Sequence, residues 1–448
     1  MTGLRVDFYP EIVAADVAVI GAGPGGIAAA VSAAERGLRV VVMDRGLEPG
    51  GQIWRHKAGA AATPEAQPWI TRLAASGART INETSVVDVR PDADGFEILA
   101  ESASRPLHIW AADIILATGA RELFIPFDGW TLPGVMGIGG AQALIKSGAS
   151  FAGKRVVIAG SGPLMLPVAA SLADAGANLL LVAEQARRAA VAQFATGLWR
   201  TPSLLLQAAK YRVRFLTSSY TTGTWVTAAH GVDRLESITL TDGRRTWRHD
   251  VDVLCTGYGL IPNVEIARLI GCEIREGAIA VDNRQRTNVD HVLAVGEATG
   301  IGGAPLSLIE GAIAGSTVGS VEAPSGHLLR RRAALVGAAG RMLDVFAPRE
   351  ELRSLPHADT IVCRCEDVSF GAVQGAACAR QAKLYTRVGM GPCQGRTCMP
   401  ALDFLLAWQA DSVRPPVEPA LVSVLSSEVA GEATPSFPLT SSVGEAYQ

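Results

Sequence analysis

A glycine-rich turn between an apolar strand and an Ala-rich helix occurs twice in this chain, and no other feature restricts its fold as much. Residues 16–23, DVAVIGAG, are an apolar run ending in Gly. A helical stretch runs from Gly26 to Arg36 and stops at Gly37, a natural C-terminal cap. Residues 38–43, LRVVVM, read as a buried parallel strand with Asp44 at its end. Gly21, Gly23 and Gly26 stand in G-x-G-x-x-G spacing, and Asp44 follows Gly21 by 23 positions. This pattern suits a dinucleotide. The first Gly makes the tight turn, the second lets the backbone approach a pyrophosphate, and the third allows close helix–strand packing. The helix N-terminus faces the phosphates, and the carboxylate takes ribose hydroxyls.

The second copy begins with the apolar strand Lys154 to Ala159, followed by Gly160-Ser161-Gly162-Pro163. Its helix runs to about Ala175, and its second strand ends at Glu184, 24 positions after Gly160. Each copy continues into a β-rich stretch with an Asp-Gly turn, Asp94-Gly95 and Asp242-Gly243. Each closes with an apolar strand tipped by Thr-Gly, Thr118-Gly119 and Thr256-Gly257. A repeat of this length is a duplicated domain. The copies differ at one point: Met165 occupies the third Gly position of the second and narrows its phosphate site. Gly160, Gly162 and Glu184 therefore leave two readings open, a second nucleotide site or a domain kept for packing.

After the second copy, Val292 to Val295 is a short apolar strand ending at Gly296-Glu297, and a helix follows from about Ser307 to Val318. A carboxylate at such a strand end suits the sugar-like chain of a flavin. The chain thus returns to its first domain and makes it discontinuous. The expected fold is α/β, with two Rossmann-like dinucleotide-binding domains and a small C-terminal module. The expected boundaries are 1–124 with 285–325 for the first domain, 125–284 for the second, 326–355 for a linker, 356–410 for the module and 411–448 for a tail. The basic run Arg330-Arg331-Arg332 in the linker reads as a solvated helix face.

Composition narrows the function. A net charge of −3 gives no basic footprint and argues against nucleic acid. No run of about 18 apolar residues is present, so no transmembrane segment is expected. No signal peptide is visible, and a cytoplasmic location is expected. Charged residues are only 19%, which is compatible with buried subunit interfaces.

Of seven Cys, four cluster as Cys363-Arg364-Cys365 and, 27 residues on, Cys393 to Cys398. Two pairs of close thiols can converge as four thiolate ligands, which suit zinc or an iron–sulfur cluster. C-x-C fits the usual zinc spacing less well, and a flavin domain on the same chain favours [2Fe–2S]. Arg364, Lys383, Arg387 and Arg396 are candidates to offset its charge. Cys255, Cys272 and Cys378 read as core residues. No cysteine pair follows Gly51-Gln52, which disfavours a flavin disulfide reductase.

GAGPGG at 21–26, GGQI at 50–53, ATG at 117–119 and VGEATG at 295–300 resemble the two-dinucleotide-domain flavoproteins, of glutathione-reductase-like fold. PFDGWTLPGVMGIGGAQ at 126–142 and GSGPLMLPVA at 160–169 are similar to a narrower group. These are the FAD-binding α chains of heteromeric bacterial amino-acid and opine dehydrogenases. The group includes the A chains of opine oxidase, the B chain of hydrogen cyanide synthase, and the α chains of hydroxyproline and proline dehydrogenases. CRCEDV at 363–368 with TRVGMGPCQGRTC at 386–398 resembles the ferredoxin-like [2Fe–2S] module fused to them.

The resemblance implies FAD contacts at Gly21, Gly23, Gly26, Asp44, Gly51, Gln52, Thr118, Gly119, Gly296 and Glu297, and cluster ligation by Cys363, Cys365, Cys393 and Cys398. It also implies partners: a flavoprotein β subunit with a D-amino-acid-oxidase-like fold that oxidises the substrate, and a small ferredoxin-like γ subunit. Further expectations are a second nucleotide, NAD(P) or ATP, or an FMN shared with the partner. The implied role is an electron-transfer subunit that relays electrons from the β subunit to an acceptor. The rival reading is a stand-alone NAD(P)H-dependent FAD/iron–sulfur reductase, and a third has the chain as a scaffold.

Overall fold

The computed structural model describes residues 10–56, 62–197, 206, 210–215, 218–408 and 413–427. The strands Glu11–Ile20 (β1), Val40–Met43 (β2), Arg79–Ile81 (β3), Thr84–Asp92 (β4), Gly95–Ser102 (β5) and Arg105–Leu116 (β6) form one sheet, in the order β3-β2-β1-β6-β5-β4. β1, β2, β3 and β6 are parallel, while β4, β5 and the first half of β6 form an antiparallel meander. The far half of β6 pairs instead with Val292–Ala294, Ile114 opposite Val292, so the returning chain completes the first domain's parallel sheet. Parallel strands are covered on both faces, which explains why all four residues of β2 are buried and apolar.

The helix Pro24–Ala34 packs against this sheet and against the helix Ala304–Thr317. Its Ala and Gly content has a steric cause. A methyl group on Gly311 would lie 2.1 Å from the Gly25 carbonyl oxygen, and one on Gly315 2.2 Å from that of Ala29. Only small residues let the two backbones approach this closely.

The second sheet is fully parallel: Ser219–Thr222, Asn178–Glu184, Arg155–Gly160, Val253–Gly257 and Val135–Gly137, in that order. A three-stranded meander, Trp225–His230, Ser237–Thr241 and Thr246–Asp250, packs beside it. Both Asp-Gly turns join antiparallel strands as expected. The two crossings between domains pair with each other, Ala120–Glu122 against Leu260–Pro262. The chain re-enters the first core sooner than the expected position 285. Val264, Ala267, Cys272 and Ile279 already pack in that core, against β-strand residues such as Ile114 and Val292. Local periodicity does not reveal which of two cores an apolar residue joins.

The stretch expected as a linker is a 21-residue helix, Gly326–Phe346. Its basic run is not wholly a solvated face, because Arg332 Nε donates to the buried Glu310 at 3.0 Å. The C-terminal module holds a strand pair, Ile361–Cys363 with Val368–Ser369, and three helices around Val362, Val373, Val388 and Leu402. Of the expected tail, 411–412 and 428–448 lie outside the described residues. Residues 413–427 return to the first domain: Val424 is buried against Val87 and Leu99, and the Val417 N–H donates to the Val87 carbonyl at 2.9 Å.

Candidate functional site

The first fingerprint sits where β1 runs into the helix Pro24–Ala34. Gly21 has φ +109°, and a methyl group there would lie 2.2 Å from the Ala117 carbonyl oxygen. A methyl on Gly26 would lie 1.8 Å from the Gly21 oxygen. Gly23 differs: nothing stands within 4 Å of where its Cβ would be. The first and third glycines therefore serve backbone packing, whereas the second keeps space open before the helix N-terminus.

The remaining residues expected at this site gather around that turn. Asp44 accepts from the Ala22 N–H at 2.6 Å and the Gly46 N–H at 2.7 Å, which fixes its carboxylate beside the turn. A Cβ on Gly51 would lie 3.0 Å from Gly23 Cα, and one on Gly25 3.6 Å from Gly296 Cα. Gln52 is exposed, with its backbone oxygen facing Lys146 Nζ at 3.4 Å. His56 bonds its own loop, Nδ1 lying 3.0 Å from the Trp54 oxygen. Thr118 turns its hydroxyl to the Asn263 oxygen at 2.6 Å, and Gly119 follows with open space at its Cβ position.

Glu297 shows the clearest sign of a missing partner. Its Oε1 accepts from the Gly303 N–H at 2.6 Å, while Oε2 is buried with no hydrogen-bond partner. Burial raises its pKa, against the N–H groups of Gly303 and Gly302, and the charge of Glu310 adds to the rise. An orphaned buried acceptor is costly unless a donor reaches it. The hydroxyl-rich chain of a flavin supplies such donors. With the space over Gly23, it means that the residues present fit FAD.

The four clustered cysteines line one cavity of about 330 Å³ with Arg364, Thr397, Phe124 and Trp130. The thiols influence one another in two pairs, Cys365 with Cys393 and Cys363 with Cys398. Burial pushes the Cys398 thiol well up, and the charges of Cys363 and Cys393 add to it. Burial also raises Cys393, but the Thr397 N–H, the Cys365 thiol and the Gly395 N–H outweigh it, and the thiol lies below its ordinary value. Among the described residues no three His, Cys, Asp or Glu side chains are set around a single metal ion. Four thiols lining one cavity supply the donor set of a binuclear iron–sulfur centre, in which each iron would take two thiolates.

The expected cations are distributed differently. Arg364 lines the cavity, its guanidinium 5.4 Å from the Trp130 ring centre. Arg387 pairs with Glu366 at 2.7 Å, and Arg396 with Glu418 of the returning tail at 2.9 Å. Lys383 lies exposed on its helix. Of the isolated cysteines, Cys255 and Cys272 are buried as expected, but Cys378 is exposed. It caps the N-terminus of the helix Ala379–Thr386, and the apolar face begins only at Ala379.

Arg121 and Asn263 were not singled out by sequence, yet they join the two sites. Arg121 Nε donates to the Arg396 oxygen at 3.0 Å, between Cys393 and Cys398. Its NH1 donates to Asn263 Oδ1 at 2.6 Å, and Asn263 Nδ2 donates to the Thr118 oxygen at 2.8 Å. Glu265 balances the guanidinium at 2.8 Å. The only sequence signal was position: Arg121 stands two residues after the Thr-Gly tip.

The second fingerprint is closed where the first is open. Glu184 is 0% exposed and Ser161 7%. Glu184 accepts from the Gly162 N–H at 2.8 Å and the Ala186 N–H at 2.7 Å. Burial raises its pKa to about 7 against those hydrogen bonds.

Comparisons with known proteins agree with this architecture. The family described as "Pyridine nucleotide-disulphide oxidoreductase" matches residues 15–314. The chain is 32% identical to the A chain of opine oxidase from Rhizobium meliloti (strain 1021), over 90% of this chain and 96% of that protein. It is 30% identical to the HcnB chain of hydrogen cyanide synthase from Pseudomonas aeruginosa, over 85% of this chain and 90% of the relative. Among solved structures, L-proline dehydrogenase from P. horikoshii superposes with a TM-score of 0.65 at 19% identity, covering 94% of this chain and 81% of that one. This likeness shows a shared fold.

Proposed function

Because the chain belongs to the pyridine nucleotide-disulphide oxidoreductase family, we propose that it is the FAD-carrying, iron–sulfur electron-transfer subunit of a heteromeric amino-acid or opine dehydrogenase. The observation that carries this reading is the hydrogen-bonded path Thr118–Asn263–Arg121–Arg396. It ties the first-domain site directly to the cysteine cavity. Gly21, Gly23, Gly26, Asp44, Gly51, Gln52, Thr118, Gly119, Gly296 and Glu297 would hold FAD, and Cys363, Cys365, Cys393 and Cys398 the [2Fe–2S] centre. Bound there, a flavin accepts electron pairs and a cluster passes single electrons onward. The chain's own residues position and insulate these groups. Phe124 and Trp130 wall the cavity with apolar rings. Arg121 fixes the loop Cys393–Cys398 relative to the Thr-Gly tip, which keeps the separation of the two sites constant. The substrate is oxidised on a D-amino-acid-oxidase-like partner; the relatives' being named as subunits supports the existence of a complex.

The test is expression with and without such a partner. The isolated chain should carry FAD, with two iron and two labile sulfide per cluster. It should not oxidise proline, hydroxyproline, glycine or opines with an artificial dye, and the co-purified complex should oxidise one of them. Steady turnover of any of these by the isolated chain would place the amine site here and overturn the relay.

A further inference from the structure

The space that stands empty over Gly23 is filled over Gly162. A Cβ on Gly162 would lie 3.7 Å from Phe346 Cβ. Phe346 ends the long helix Gly326–Phe346, and its ring meets Phe194 edge-on, with centres 5.3 Å apart. The polar groups of the second fingerprint are engaged by the same segment. Ser161 Oγ donates to the Phe346 oxygen at 2.6 Å, and Gln185 Nε2 donates to Ser161 Oγ at 2.8 Å and to the Ala347 oxygen at 2.9 Å. Gln185 Oε1 in turn accepts from the Arg349 N–H at 3.2 Å. Arg349 is locked by its guanidinium, 4.3 Å from the Trp225 ring centre. Glu184, the residue in the ribose-binding place, is fully buried.

We propose that the segment Phe346–Arg349 is the resident occupant of the second nucleotide site. The backbone carbonyls of Phe346 and Ala347 take the hydrogen bonds that a nucleotide's oxygens would take, and the Phe346 ring covers the phosphate turn. NAD(P)(H) and adenine nucleotides are thereby excluded from the second repeat. Electrons do not enter the chain from a nicotinamide there, and the repeat serves to anchor the helix that leads to the cysteine module. This inference needs only the dinucleotide fold of the second repeat and does not depend on the relay.

The test is amide hydrogen exchange on the full-length protein as purified, alone and with NAD+, NADP+ or ATP at about 1 mM, the upper end of usual substrate affinities. The amides of Gly162 and Ala186 should exchange slowly without any nucleotide, and no nucleotide should alter residues 160–163, 184–186 or 343–350. Phe346→Ala should speed Gly162 exchange by about tenfold. Fast exchange of Gly162 in the unmodified protein would overturn the proposal. So would saturable protection of 160–163 by a nucleotide, or release of 343–350 on its addition. The unmodified protein decides the matter even if the variant does not fold. Absence of bound FAD would count against the relay and leave this result unaffected.

Discussion

Gly23 and Gly26 stand three residues apart in one fingerprint, and their replacement by Ala should fail in different ways. At Gly26 the new methyl would lie 1.8 Å from the Gly21 oxygen and 3.1 Å from Ala117 Cβ, so helix and strand must separate by more than an ångström. The helix is also held by Ala304–Thr317, whose Gly311 and Gly315 leave no room between the two backbones, and cannot move freely. Overpacking against backbone costs about 3 kcal/mol, and the better helix propensity of Ala returns about 1 kcal/mol. The flavin-free Gly26→Ala chain should lose about 2 kcal/mol of stability. Gly23 has φ −73° and nothing within 4 Å of its Cβ position, so Gly23→Ala should leave the flavin-free chain within about 0.5 kcal/mol. Its methyl instead occupies the approach of the pyrophosphate. The loss of one hydrogen bond to a charged group costs about 1.5–3 kcal/mol, a ten- to hundredfold weaker FAD affinity. Denaturation of flavin-free protein and flavin titration by fluorescence separate the two effects. Equal destabilisation by both variants, or unchanged FAD affinity in Gly23→Ala, would refute the assignment of the open space to the cofactor.

Glu184 has its folded pKa raised to about 7, so the folded state binds the extra proton. Its contribution is full below the ordinary carboxylate range and is lost as pH rises toward 7, by about 3 kcal/mol in all. Glu184→Gln should flatten that part of the stability profile in urea denaturation, and an unchanged slope would count against the buried carboxylate. A methyl on Gly391 would lie 2.2 Å from Cys365 Cβ, so Gly391→Ala should abolish iron and labile sulfide while flavin content stays unchanged; full iron loading would refute the ligand role of Cys365. Val424 is fully buried, and Val424→Ala should cost about 2 kcal/mol and expose 413–427 to protease; an unaltered digestion pattern would mean that the strap is not held by this side chain.

The features legible in the amino-acid order are those whose signals are short. Two glycine turns, each between an apolar strand and an Ala-rich helix, specify two βαβ units with parallel strands, because the spacing that bends the backbone is local. Asp44 and Glu184 were legible for the same reason, each at the end of the strand after its helix. The return to the first sheet before Gly296 was legible from the Gly296-Glu297 pair at the end of the apolar run Val292–Val295, and the pairing of Val292–Ala294 with β6 agrees with it. The four cysteines were legible as one set, by their spacing in two close pairs, and all four line one cavity.

What covers and connects these sites was set by long-range packing. Phe346 reaches Ser161 across 185 residues, and Arg121 reaches Arg396 across 275. The tail residue Val424 reaches Val87 by the same kind of contact. Hydrophobic periodicity tells which face of an element is buried but not which distant segment buries it. The two fingerprints therefore look nearly alike in sequence. One stands open and the other closed because a helix far downstream packs over the second and not the first.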